Sequence, residues 1–289
     1  MASRAHFARR APARAVAGAT VFALLAAGCA AQHATGLAGD RPGAGIARGL
    51  PLGAPSLDAR VSGLTVLVVG DSWARNLGVG IAAADRARRN IVVNAGVGGC
   101  GLMQPAQIRA KGRLVPAPRQ CNTWPSRWRD LVARYHPSAV LLEVGYWDGQ
   151  DSQRLPGTKD VSSITDPVFR RRFDAQADRA IRILSGGGAR VYLPTVIDND
   201  GAARANSDAM NAAVRAAVRR HPEVARLLDL HGQLCTESKI CPAEIRGIRV
   251  YDDTGHPSGP AHDRLGAWIL NSVYADLHRG ADGPTRRGE

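Results

Sequence analysis

The chain has 289 residues, enough for one substantial domain with its own core. Hydrophobic residues make up 45% and charged residues 22%, ordinary globular proportions that exclude wholesale disorder. The formal net charge of +13 suits an anionic partner such as an envelope polymer or a lipid headgroup, although a plain basic surface is the simpler reading. No Lys/Arg run with interleaved aromatics is present, so nucleic acid is not expected as a partner.

Arg4, Arg9, Arg10 and Arg14 open the chain with no acid among residues 1–28. Ala15 to Ala27 follow as an apolar stretch holding Val21, Phe22, Leu24 and Leu25, and Gly28 then precedes Cys29. This order is that of a secretory signal peptide. With a cysteine directly after the small residues it resembles a bacterial lipobox, which implies cleavage before Cys29 and lipidation of its thiol. Ala26 departs from that pattern, because Leu is commoner there. The apolar run is shorter than the roughly 20 residues of a membrane span. A plain signal peptide or an uncleaved anchor are the alternatives. The expected organisation is a signal peptide over 1–28, a flexible Gly/Ala/Pro-rich tether over 29–62, one domain over 63–279 and a disordered tail over 280–289. The expected location is the cell envelope, lipid-anchored at the outer face of the cytoplasmic membrane or else secreted.

Within the domain, strand-like and helix-like segments alternate. Leu64–Val69, Ile91–Val93, Ala139–Val144, Val191–Val196 and Val224–Leu230 read as short strands. Nearly continuous apolar strands are buried on both faces. Trp73–Ala84 reads as the first helix. Asp166-Pro167 is a cap followed by Pro at the first helical position, and Phe169, Phe173, Ala177, Ala180, Ile181 and Leu184 then recur at helical spacing up to Gly186. Met210, Ala213, Val214, Ala217 and Val218 make a second apolar stripe; Leu265, Trp268, Ile269, Val273 and Leu277 make a third. The alternation predicts a three-layer α/β/α sandwich around a mostly parallel sheet, with ligands beyond the carboxyl ends of the strands.

Chemistry-bearing residues fall at those ends. Gly70-Asp71-Ser72 follows the first strand and opens the first helix, where helix amides favour a developing oxyanion. Taken alone, Asp71 and Ser72 are also ordinary helix caps. Asp253-Thr254-Gly255-His256 precedes the last helix, and an Asp three residues before a His can hold one ring nitrogen while the other meets a serine hydroxyl. Together the two segments resemble the SGNH (GDSL-like) hydrolase superfamily over roughly residues 63–278. That resemblance implies a flavodoxin-like α/β/α fold, Ser72 as nucleophile, His256 as base and Asp253 as its orienting acid. Asn94-Ala95-Gly96-Val97-Gly98-Gly99 is similar to the family's second block, which implies that the amides of Ser72 and Gly99 form the oxyanion hole.

The third block departs from the family pattern. Val144-Gly145-Tyr146-Trp147-Asp148 places Trp147 where the family carries an oxyanion-donating Asn. An indole N–H is a donor only, and the preferred reading is that Trp147 walls the pocket. Gly followed by Trp at this place, and the cysteine-bearing loop after Gly99, resemble SGNH domains associated with membrane O-acyltransferases of bacterial envelopes. A membrane acyltransferase is the partner this resemblance implies. Asp71, Trp147 and Asp148 are candidate pocket residues, with Asp148 and Asp151 read as loop caps first. Trp124 and Trp128 are expected to pack on the cysteine loop and His262 to face solvent. His136, His221 and His231 show no partner pattern.

Removing Cys29 leaves Cys100, Cys121, Cys235 and Cys241, an even number in an oxidising compartment. Of the three pairings, Cys100–Cys121 with Cys235–Cys241 is preferred, because each would staple one loop. The spacing does not match a zinc knuckle, and no metal or organic cofactor is expected. The function expected is a serine ester hydrolase or O-acyltransferase acting on O-acylated envelope carbohydrate or a small ester. The alternatives are an inactive envelope-binding module on the same scaffold and a lipase or phospholipase.

Overall fold

The computed structural model describes residues 57–149, 153–197, 204–235, 241–252 and 255–279. In chain order, β1 (Thr65–Gly70) leads into α1 (Ser72–Ala84) and β2 (Ile91–Asn94). A hairpin of β3 (Gln107–Ala110) and β4 (Arg113–Pro116) precedes α2 (Arg119–Asn122), α3 (Trp124–Tyr135) and β5 (Ala139–Glu143). Then come α4 (Tyr146–Gly149), β6 (Gln153–Arg154), α5 (Pro167–Ser185), β7 (Arg190–Pro194), α6 (Arg204–Arg220) and β8 (Ala225–Leu228). α7 (Leu230–Leu234), β9 (Glu244–Ile245), β10 (Ile248–Arg249) and α8 (Gly259–His278) complete the order.

The five apolar runs expected from the sequence are β1, β2, β5, β7 and β8. They form one sheet in the order β2-β1-β5-β7-β8, and every neighbouring pair is parallel. Successive side chains of a strand point to opposite faces. Leu67, Val69, Val140, Leu142, Val191 and Leu193 therefore look one way, onto Trp124 and Trp128 of α3, Phe169 and Phe173 of α5, and Met210 and Val214 of α6. Val66, Val68, Ala139, Leu141 and Tyr192 look the other way, onto Leu77 and Ile81 of α1 and Leu265, Ile269 and Val273 of α8. Three layers with two cores result, as the alternating pattern predicts. α5 starts where the cap signal places it: the Asp166 carboxylate accepts from the amides of Val168 and Phe169, both at 2.8 Å.

Two features differ from the sequence reading. First, residues from 57 onward belong to the domain instead of a free tether. Val61 is buried in the core under α1 and α8, and the Asp58 amide donates to Asn271 Oδ1 of α8 at 3.0 Å. Second, a small antiparallel sheet in the order β4-β3-β6 lies outside the main one. Its strands carry one deeply buried apolar residue, Ile108, so no hydrophobic alternation announces them.

α1 and α8 cross at glycines. A Cβ added at Gly80 would meet the His262 carbonyl oxygen, and one added at Gly266 would meet the Gly80 carbonyl oxygen. The far end of α8 is tied down by Asp276. Its carboxylate accepts from Arg190 Nη1 at 2.8 Å and from the Tyr192 hydroxyl at 2.9 Å, both on β7. Alanine normally exceeds glycine as a helix former by about 1 kcal/mol, so Gly266→Ala on an open helix face would stabilise. At this crossing we expect the opposite, a loss of about 1–3 kcal/mol from overpacking. Urea unfolding of the variant measures the sign, and an unchanged or raised midpoint would contradict the close crossing.

Candidate active site

The site begins with β1 running into α1. Gly70 ends the strand at φ +136°, and a side chain there would run into the Glu143 carbonyl oxygen on the neighbouring strand. Glycine alone fits both demands. Asp71 then caps the helix, accepting from the Trp73 amide at 2.6 Å. Ser72 is the first helical residue, half-buried, with its amide at the positive end of the α1 dipole.

The loop after β2 is drawn alongside. The amides of Ala95 and Val97 donate to the carbonyls of Val68 and Gly70, each at 2.8 Å, so the chain stays against β1 beyond the strand's end. This brings Gly98 beside Ser72: a Cβ built there would stand 3.8 Å from Ser72 Cβ. Among the described residues, neither the Ser72 nor the Gly99 amide has an internal acceptor. Both are free to meet an oxyanion.

His256 arrives from the other end of the chain. Its turn is closed by two bonds with Asp252, whose amide donates to the His256 carbonyl at 2.7 Å and whose Oδ1 accepts from the His256 amide at 3.0 Å. The next residues enter α8, where Ser258 caps the helix by accepting from the Ala261 amide at 3.3 Å. Across 184 residues of sequence, His256 Nε2 and Ser72 Oγ lie 2.8 Å apart. Trp73 stands beside the imidazole with ring centroids 6.5 Å apart, and it also meets Tyr251 at 6.3 Å.

These observations fit one known pattern. A family model described as an SGNH domain (fused to AT3 domains) matches residues 47–197, just over half of the chain. The chain belongs to this family. The matched span holds Ser72 and the Asn94–Gly99 loop and ends before His256. No curated protein matches the chain. Similar solved structures include that of TesA, 20% identical with a TM-score of 0.44, covering 74% of this chain and 97% of that one. The acetylxylan esterase Axe2 from Geobacillus stearothermophilus is 16% identical with a TM-score of 0.45, covering 73% and 94%. The psychrotrophic esterase EstA from Pseudoalteromonas sp. is 14% identical with a TM-score of 0.46, covering 75% and 100%.

In this SGNH domain, the remaining residues singled out in the sequence divide clearly. Trp147 is half-buried with its ring against the oxyanion loop, 4.0 Å from a Cβ built on Gly99. Tyr146 beside it is 55% exposed, its ring edge-on to that of Trp147 at 5.8 Å. Asp148 is not a pocket residue: it is fully buried and accepts from the amides of Leu102 at 2.5 Å and Met103 at 3.0 Å and from Gln153 Nε2 at 3.1 Å. It pins the loop between Cys100 and Cys121, which that disulfide closes. Trp124 packs on the same loop, donating its indole N–H to the Leu102 carbonyl at 2.9 Å. The second disulfide joins Cys235 and Cys241, so both pairings are the preferred ones. His262 departs from the expected solvent-facing position; it is half-buried, and burial depresses its pKa. His221 does find a partner, Asp178 Oδ1 at 3.0 Å. Asp253, Asp151 and Cys29 lie outside the described residues.

Asp71 is likewise buried, with its carboxylate turned to the Trp73 amide. Sequence reasoning missed its partner, Glu143, at the carboxyl end of β5. Burial raises the pKa of both, and the charge of Asp71 together with their shared hydrogen bond pushes Glu143 well above the usual carboxylate range. Glu143 thus favours its protonated form beside the capping carboxylate of Asp71, which accepts from the Trp73 amide. The signal available in the sequence was one acid in an otherwise apolar strand, Ala139-Val140-Leu141-Leu142-Glu143.

Among the described residues, His231, Cys235 and Cys241 offer atoms within 4.8 Å of one another, a spacing that would suit an ion. The two sulfurs are joined as a disulfide, so neither is a thiolate ligand.

Burial raises the Asp148 pKa from 3.8 to about 6, against the pull of the Leu102 and Met103 amides and Gln153. The native state thus keeps its proton where the unfolded chain has lost it, so this group's stability is complete below about pH 4 and declines as pH rises towards 6. Asn cannot titrate. The stability of wild type minus that of Asp148→Asn should therefore fall between pH 4 and 6 and level off above. A difference that rises with pH in denaturant titrations would show that the amide donors outweigh burial.

Proposed function

We propose that this SGNH domain is a serine ester hydrolase or O-acyltransferase acting on O-acylated carbohydrate of the cell envelope or a related small ester. The observation that carries this reading is the 2.8 Å approach of His256 Nε2 to Ser72 Oγ, at a helix N-terminus beside two unused amides. A nucleophile, a base within hydrogen-bond reach and free oxyanion donors are the parts an acyl transfer needs.

The steps follow from the geometry. Ser72 Oγ attacks the ester carbonyl while its proton passes to His256 Nε2. The oxyanion forms against the amides of Ser72 and Gly99. The carbon–oxygen bond to the alcohol breaks as His256 returns the proton to the departing oxygen, leaving an acyl-serine. A second hydroxyl then attacks with His256 again as base, the bond from the acyl carbon to Ser72 Oγ breaks, and His256 returns the proton to Oγ. Water gives the free acid, and a sugar hydroxyl gives a new ester. In this reading Asp253 fixes the imidazole tautomer, Trp147 and Tyr146 wall the substrate, and a signal peptide with lipidated Cys29 delivers the domain to its envelope substrate. A membrane acyltransferase is the partner for the transfer branch.

With an aryl acetate as substrate, Ser72→Ala and His256→Ala should each lower kcat/KM by about a thousandfold or more. Equal rates for wild type and Ser72→Ala would remove the catalytic assignment. A second reading, a binding module without turnover, is favoured by Trp147 at the Asn place of the third block. A serine-directed fluorophosphonate separates the two: the enzyme is labelled at Ser72, and the binding module is not.

A further inference from the structure

We infer that Arg75 forms an anion subsite beside the ester site, which selects substrates carrying a carboxylate or phosphate close to the acylated oxygen. The inference rests on the esterase reading above and adds the charge of its substrate. Arg75 lies one helical turn after Ser72 on α1. Its backbone is gripped by the loop after β2: Asn94 Nδ2 donates to the Arg75 carbonyl at 2.8 Å, and the Arg75 amide and Cα fill the place of a Gly96 side chain. The side chain then extends over Gly98. A Cβ built on Gly98 would lie 3.9 Å from both Nη1 and Nη2 of Arg75 and 3.8 Å from Ser72 Cβ. The guanidinium and Ser72 thus flank the same glycine.

The charge balance of the neighbourhood points the same way. Of the carboxylates around the site, Asp71, Glu143 and Asp148 are buried beneath it, and the exposed Asp252 is engaged with the His256 amide. Arg75 is exposed, and among the described residues no carboxylate pairs with it. Some other arginines on the helices, Arg170, Arg215 and Arg220, do find an acid. An unpaired guanidinium presents a planar fork that matches a carboxylate or phosphate bidentately, and its charge is permanent.

The test compares para-acetoxybenzoate with its neutral isostere para-acetoxybenzamide, and para-acetoxyphenyl phosphate serves as the phosphate arm. Wild type should show a higher kcat/KM for at least one charged ester than for the amide. Arg75→Gln should lower that ratio about fivefold, with the change in the KM of the charged ester, and Arg75→Lys should recover part of it. A ratio that is unchanged, or equal losses on charged and neutral esters, overturns the subsite; the second pattern would make Arg75 an oxyanion donor instead. A binding arm keeps the inference separate from turnover. Benzoate and phenyl phosphate are titrated into Ser72→Ala protein by tryptophan fluorescence, with and without Arg75→Gln. Weaker binding in the double variant supports the subsite, and equal binding refutes it even where no ester is hydrolysed.

Discussion

The close crossing of α1 and α8 is the constraint on which the site depends. Ser72 is the first residue of α1, and His256 lies three residues before α8 begins, so the distance between the two helices sets the distance between the Ser72 hydroxyl and the His256 imidazole. Glycine at 80 and 266 lets the backbones touch, and the helical propensity given up there is recovered as fixed geometry. Core packing adds to this through Leu77, Ile81, Leu265 and Ile269, and Asp276 holds the other end of α8 to β7. Catalysis needs reacting groups held within a fraction of an ångström, and loops alone rarely provide that.

Beneath this crossing the protein buries acids that touch no substrate. Asp148 organises the disulfide-closed loop that carries Leu102 and Met103, and Asp71 with Glu143 organises the turn into α1. Each buried carboxyl costs desolvation, which the amide donors to Asp71 and Asp148 offset only in part. The consequence is that the start of α1 and the Gly98–Gly99 loop are held in place facing the His256 imidazole, whose backbone is bonded to Asp252. Trp147 stands where the family pattern has an Asn, so in the proposed mechanism the two amides carry the oxyanion alone, and the Trp147 ring stands edge-on to that of Tyr146.

Much of this was legible in the sequence because it is written in local patterns. The buried runs of β1 and β5, the Asp166-Pro167 cap and the apolar stripe of α5 are each decided by residues a few positions apart. Ser72 and His256 are chain-distant, yet each sits in a recognisable short motif, and the cysteine pairs follow from their spacing. The rest depends on direction. Asp71 and Asp148 stand beside site residues in sequence, but the cap and the short α4 turn point their carboxylates inward, and no spacing rule reveals that. The β4-β3-β6 sheet has too few buried positions to show a period. Arg75 is one arginine among many until the fold lays it over Gly98.

A chemical snapshot tests the central claim most directly. The protein is mixed with an acetyl ester, quenched in acid during the first turnovers and digested for mass spectrometry. The account predicts one acetyl group on the peptide that holds Ser72, and none there in the His256→Ala protein. Acetylation confined to other residues, or turnover with no acyl-protein at all, would contradict a serine nucleophile activated by the distant imidazole.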